Sequence, residues 1–299
     1  MHKKNLTAFL SWVAICIIWG TTYLAIRVGV EDLPPILFSG LRWLIAGPIL
    51  LSILKYRGMA FPKKSDLVPI MIIGLALLGL GNGLVVFAEQ WIPSGLTALL
   101  ITTVPFWIVG IESLSPSKTK VNFKIMVGLS LGLVGVGIIF GTDLKTLFDP
   151  QYLTGVIGIM VAIIGWSAGT VYSKHKKVNV HPLMSASVQM TVSGAVLSLL
   201  GLALGEVDKF NFTAESFAAF TYLIIVGALI AYSAYIYAIA HLPISFVSTY
   251  AYVNPIIALF LGWLVLDEKI NTTIIVAAVI ILIGVAVVKK GTESLKSEN

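Results

Sequence analysis

The chain has 299 residues, 58% of them hydrophobic and only 11% charged, against about 45–50% apolar and about 25% charged in soluble domains. Apolar runs recur along its whole length, each close to the roughly 20 residues a helix needs to cross a bilayer core about 30 Å thick, which excludes a soluble enzyme or binding module. The net charge is +6, but the cations fall in short loops between apolar runs, a pattern of membrane topology and not of nucleic-acid binding.

In chain order, MHKK precedes an apolar run over 6–26. That run is too long for the core of a signal peptide and lacks a small-residue cleavage pattern, so it reads as the first span. Nine more spans follow, over 34–54, 67–88, 94–114, 123–140, 152–172, 182–204, 216–240, 244–266 and 272–288. The fold class expected is therefore all-α integral membrane, with ten transmembrane helices. The single cysteine, Cys16, lies inside the first run, so no disulfide within the chain is expected. Assigning loops alternately to two sides collects fifteen of the twenty Lys and Arg on one side, in clusters at 3–4, 55–64, 118–124, 174–177 and 289–296. The other side holds Arg27, Lys145, Lys209 and Lys269, with most of the acids, and Arg42 stays within a span. The positive-inside rule then places both termini in the cytoplasm.

Residues 88–105 align without a gap on 238–255: Ala88 matches Ala238, and Pro93 and Pro105 recur as Pro243 and Pro255. Ile17-Ile18-Trp19 similarly resembles Ile164-Gly165-Trp166, and Pro34 resembles Pro182. The chain reads as two repeats, 1–145 and 150–290, followed by a cytoplasmic tail at 291–299. Five spans per repeat is an odd number, so the second repeat enters the membrane from the opposite side and the repeats are inverted. Pro105 and Pro255 fall mid-span, where each removes one backbone hydrogen bond and frees the carbonyl four residues earlier, Ile101 or Ala251. Spans five and ten, glycine-rich and nearly free of polar side chains respectively, read as scaffold.

Arg42 is the most informative residue. Eight positions after Pro34, it lies roughly 12 Å below the surface on a helix rising 1.5 Å per residue. An arginine near the bilayer centre costs about 2.5–3.5 kcal/mol, so it must face a cavity or a partner. The equivalent of Arg42 in the second repeat is Met190, so the fold's symmetry does not require the charge. Helical spacing groups further candidates on single faces: Trp19 with Tyr23, Asn82 with Glu89, Tyr232 with Tyr235, and Phe246 with Tyr250 and Asn254. Trp166 joins them as the counterpart of Trp19. Such faces make a small-molecule cavity with apolar walls and a few hydrogen-bonding groups. Glu89, at a span end, reads as a solvated loop acid in preference to a proton carrier, and Trp12 and Trp91 read as interfacial anchors. Gly79-Leu80-Gly81-Asn82-Gly83 lies inside an apolar span and is packing or flexibility, not a phosphate loop. His2, His175, His181 and His241 have no metal-ligand spacing, and no catalytic motif is present, so neither metal site, cofactor nor enzyme is expected.

Trp19-Gly20-Thr21, Leu41-Arg42-Trp43, the Pro105 and Pro255 helices, Gly262-Trp263-Leu264 running into Asp267-Glu268, and the Gly-rich repeat ends together resemble the drug/metabolite transporter superfamily, in its branch with two EamA-type domains. One departure is Glu112-Ser113-Leu114-Ser115-Pro116, where the resemblance leads one to expect an acid-containing ending like that of the second half. The resemblance implies a central cavity between the halves and export or exchange of small metabolites by alternating access. The expected function is a bacterial-type inner-membrane exporter, with amino acids the leading cargo and protons a candidate coupling ion. Drugs, sugars and nucleotide sugars are alternative cargoes of the same fold, and a non-transporting receptor or scaffold is the alternative of another class. Expected partners are the small-molecule substrate and the lipid bilayer.

Overall fold

The computed structural model describes residues 3–114, 122–141, 149–176, 178–242, 247–248 and 250–297. These residues are helical, with no strand among them. The helices are α1 (Lys3–Asp32), α2 (Pro35–Tyr56), α3 (Lys64–Ala88), α4 (Ser94–Leu114) and α5 (Phe123–Gly141). They continue as α6 (Pro150–His175), α7 (Pro182–Ala203), α8 (Ala214–His241), α9 (Tyr250–Leu266) and α10 (Thr272–Ser297). Seven of them, α1 to α4 and α6 to α8, are long and apolar enough to cross a membrane. Three shorter apolar stretches, Phe123–Gly132, Val253–Leu266 and Thr272–Val288, lie in α5, α9 and α10. Pro116, Lys118, Lys120, Asp143, Lys145, Lys177, Pro243 and Phe246, all used in the sequence reading, lie outside the described residues.

Proline and polar caps start the helices where their first N–H groups have no intrahelical acceptor. Pro35, Pro150 and Pro182 each occupy a first helical position, where the missing N–H costs nothing. The Asp149 carboxylate accepts from the N–H groups of Gln151 (2.9 Å) and Tyr152 (3.1 Å). Thr213 and Ser216 cap α8 reciprocally. Two caps are borrowed from distant chain: Glu206 accepts from the N–H of Leu37 at 2.6 Å, and Glu268 accepts from the N–H groups of Ser94 (2.8 Å) and Gly95 (3.1 Å). Asp267, at φ 52°, makes the turn that aims Glu268 back at α4, and the Glu268 N–H donates to Gly262 O at 3.1 Å.

With no hydrophobic drive between helices in lipid, close backbone approach holds a bundle together. The α2–α7 pair is built this way: a Cβ added at Gly194 would meet Leu44 N at 2.2 Å. The α5–α10 pair repeats the device, with Gly128 against the Gly284 carbonyl, as expected of scaffold helices. Between these pairs, α1 packs on α8 and α9, and α6 packs on α3 and α4.

Three helices depart from regular geometry. α3 is π-helical over Leu75–Asn82 and α8 over Leu223–Tyr232, the same place in each half of the chain. α4 is interrupted at Thr102 and Thr103, whose hydroxyls donate to the carbonyls of Leu99 (2.6 Å) and Leu100 (2.8 Å) just ahead of Pro105. Among the described residues of the second half, α9 runs from Tyr250 through Pro255 without a matching interruption.

Candidate functional site

Between the halves lies a cavity whose empty space, counting the part open to solvent, comes to about 680 Å³. It sits toward the end of the bundle where α1 and α3 finish and α2, α4, α6 and α8 begin, an end tied together by a Thr213–Asp32 hydrogen bond of 2.5 Å. Ile26, Leu78, Val85, Ile101 and Val104 supply apolar wall, and Arg42 is the charged residue in its lining. The mixture of apolar wall with few polar groups is that of a small-molecule site.

Arg42 is 3% exposed. Its guanidinium donates to Asn82 Oδ1, lies 4.4 Å from the Trp43 ring centroid, and leaves Nε without a partner. Trp43 Nε1 donates to the same Asn82 oxygen at 3.3 Å. Asn82 is the last residue of the π-helical stretch of α3, and Tyr232 is the last of the stretch in α8. A π-helical turn shifts the register of side chains around a helix, and such turns recur at functional sites. Here both deliver a polar side chain into the cavity lining. Tyr232 packs on Trp43 at 5.5 Å and donates to Gln189 Oε1 at 2.5 Å.

An aromatic layer closes the other side. Trp19 meets Trp166 edge to face at 5.5 Å, and Tyr235 and Tyr250 each lie 5.0 Å from Trp19. Tyr235 is fixed by a 3.0 Å hydrogen bond with Thr170. Beyond the layer is a much smaller space, about 210 Å³ counting the part open to solvent, lined by Thr170, Tyr235, Ile239 and Ser248 among others, with Trp166 and Tyr250 facing both spaces.

The structure thus brings Trp19, Tyr23, Arg42, Asn82, Trp166, Tyr232 and Tyr250 to one cavity. Tyr235 lines the smaller space instead. Asn254 lines neither: its amide nitrogen donates to the carbonyls of Cys16 (2.8 Å) and Tyr250 (3.0 Å), tying α9 to α1. Pro105 is buried at the α4 interruption beside the cavity residue Val104, and Pro255 is buried within α9. One reading is corrected. Glu89 is not a solvated loop acid but fully buried, with neither carboxylate oxygen hydrogen-bonded. Its position at a span end suggested water, yet it is enclosed by the bundle, where Arg27 of α1 donates to its backbone carbonyl.

A model of the EamA-like transporter family matches the chain twice, over residues 6–141 and 153–289. The chain belongs to this family. YedA of Escherichia coli K12, an uncharacterized inner membrane transporter, is 35% identical over 291 residues, 97% of this chain and 92% of that one. YoaV of Bacillus subtilis 168, an uncharacterized transporter, is 28% identical over 275 residues, 91% of this chain and 93% of that one. A solved crystal structure, 21% identical, has a TM-score of 0.70 and covers 94% of this chain and 96% of that chain. That likeness shows the fold. As a member of an EamA-like transporter family, this protein is a multi-pass membrane transporter.

Proposed function

We propose that this transporter exports small carboxylate-bearing metabolites, amino acids foremost, across the bacterial inner membrane by alternating access. The observation that carries the reading is Arg42, a buried cation in the cavity lining with a donor left unfilled. A guanidinium offers a planar fork of donors that a carboxylate matches in pairs, which lysine cannot reproduce. The inner membrane is supported by the name of the relative YedA.

The architecture proposed is ten transmembrane helices in two inverted repeats, 1–145 and 150–290, with a tail at 291–299 and both termini cytoplasmic. The family model's double match supports the division, and so does the pairing of π-helical stretches at matched places. The two cavities either side of the aromatic layer support alternating access, with Trp19, Trp166, Tyr235 and Tyr250 closing the path. The same aromatic wall favours a second cargo class, nucleotide sugars, whose phosphates would meet Arg42 and whose bases would stack.

Two experiments test the reading. Proteoliposomes loaded with labelled amino acids, or with a labelled nucleotide sugar, are assayed for exchange with external compound. Amino-acid exchange is expected, falling on the order of 10–100-fold in Arg42→Gln for the loss of a charged hydrogen bond, with Arg42→Lys retaining part. Equal rates in the glutamine variant would remove the case for an anionic cargo. For orientation, cysteines placed at the exposed Ser65 and Gln151, in a Cys16-free background, are treated with an impermeant thiol reagent outside intact cells. Position 151 is expected to react and position 65 to resist; the reverse would invert the topology and the export direction.

A further inference from the structure

Of the acids in the described bundle, Glu206 and Glu268 hold helix N-termini and Glu112 pairs with Lys174. Glu89 is different. It is completely buried and both its carboxylate oxygens lack a hydrogen-bond partner among the described residues. A structural ion pair would bring a cation within 4 Å of those oxygens. Arg27 instead donates to the backbone carbonyl of Glu89, and no such pair to its carboxylate is formed among the described residues. Stripping a carboxylate of water without giving it donors is costly, so a group left this way is poised to change its protonation state.

The charges around it set when. Arg27 and Tyr23 face Glu89 from α1, Arg42 from α2, and Glu268 from the turn after α9. From α6, Gly155 and Gly158 pack against Ile92, Ala88, Phe87 and Leu84 of the same stretch and bring no charge to it. Burial weighs most against the anion and Glu268 opposes it further, while the two guanidiniums favour it. With the cavity empty of cargo, Arg42 helps to hold Glu89 ionised. An anionic cargo on Arg42 neutralises that help, and the balance then favours the neutral acid.

We infer that Glu89 takes up a proton when a cargo carboxylate binds Arg42 and gives it back when the cargo leaves, so that proton and carboxylate cross together. This rests on the carboxylate-transport reading. The step is a simple protonation: a proton from the water on the open side adds to a Glu89 carboxylate oxygen, and the same O–H bond breaks toward the other side. Cargo and proton then move in one direction, and the charge on the cargo carboxylate is balanced in transit. Export under this coupling is driven by the cargo's own accumulation.

The test uses the full chain in proteoliposomes with a pH-sensitive dye trapped inside and a mixture of the protein amino acids as probe. Adding the mixture outside is expected to acidify the lumen, and acid on the loading side is expected to raise uptake several-fold. In Glu89→Gln, exchange at whatever rate remains should lose its response to pH and evoke no lumenal acidification; Glu89→Asp should keep both. Lumenal alkalinisation, or no pH change while labelled amino acids enter lumens that hold none, overturns the inference and leaves the transport reading standing. If no amino acid moves, the cargo assignment falls, and infrared difference spectra of the purified chain between mildly alkaline and mildly acid buffer decide the proton site by themselves. A protonated-carboxyl band present in the wild type and in Glu268→Gln but missing in Glu89→Gln supports the inference. Its absence from the wild type, or its persistence in Glu89→Gln, overturns it.

Discussion

In the first half of the chain the π-helical stretch of α3 ends on Asn82, which accepts hydrogen bonds from Arg42 and Trp43; in the second half the stretch of α8 ends on Tyr232, which donates to Gln189. The backbone device is shared and the chemistry is not. Beside Gln189, the counterpart of Arg42 is Met190, fully buried in the apolar core. The counterpart of Glu89 in the ungapped alignment is Ile239, which lines the smaller space. Both halves supply aromatic wall, Trp19 from one and Trp166 from the other. Among the described residues, the first half alone supplies a buried arginine and a fully buried acid. Duplication thus fixes a cavity frame, and a few substitutions in one copy convert that frame into an electrostatic site.

The largest effect expected from breaking this asymmetry is Met190→Arg. Arg42 is tolerated because a cavity, Asn82 and the Trp43 ring receive it. Met190 belongs to a buried apolar cluster and lines no cavity among those described, so an arginine there costs roughly the 2.5–3.5 kcal/mol of insertion scales or more. Against a total stability of about 5–15 kcal/mol, that is enough to strip much of the folded population. Size-exclusion profiles of detergent extracts should show the monodisperse peak reduced severalfold or lost. A normal peak would mean that the second half has room for a charge and that the asymmetry is accidental.

A smaller effect separates the two polar bonds. Asn82→Ala leaves the Arg42 guanidinium without its acceptor and frees it to swing, so exchange of a carboxylate cargo should fall roughly tenfold, the value of a charged hydrogen bond near the low end of its range. Tyr232→Phe removes the donor to Gln189 Oε1, a bond away from the cation. It should cost about 1 kcal/mol of thermal stability while moving exchange less than twofold. Equal transport losses in both would assign the cargo site to the two halves jointly.

How much of this was legible in the sequence depends on the range over which each feature is decided. Of the seven candidate residues that reach one cavity, five came from helical spacing, Arg42 from its depth in a span and Trp166 from the repeat, because a span's inward face is set locally and the bundle merely assembles those faces. Asn254 escaped that logic: it shares a face with Tyr250, but its amide is consumed by the Cys16 and Tyr250 carbonyls. Glu89 was misplaced because its chain position says helix end, whereas its burial depends on packing against distant chain, such as Arg27 of α1, 62 residues away. The π-helical stretch of α3 had a partial signal in Gly79-Leu80-Gly81-Asn82-Gly83, where three glycines relax the backbone. Its partner in α8, Leu223–Tyr232, has one glycine and no comparable mark.

The smallest effect concerns the two prolines, which the sequence alone treats as equivalent. They are not equivalent in their surroundings. Ahead of Pro105 the helix is interrupted: Thr102 and Thr103 make three-residue turns onto Leu99 and Leu100, and their hydroxyls occupy the same carbonyls. Ile101 and Val104, on either side of the interruption, are both in the cavity lining. Alanine at 105 restores an N–H able to donate to Ile101, favouring a regular turn that withdraws this wall. Pro255 sits within the unbroken helix α9, where alanine adds one hydrogen bond to a backbone that already has helical form. Pro105→Ala should therefore slow exchange several-fold at equal membrane levels, and Pro255→Ala should change it less than twofold while raising the thermal midpoint slightly. Equal slowing in both would mean that α9 also opens at its proline during the cycle, and the difference between the halves would then belong to one conformation of the carrier and not to its mechanism.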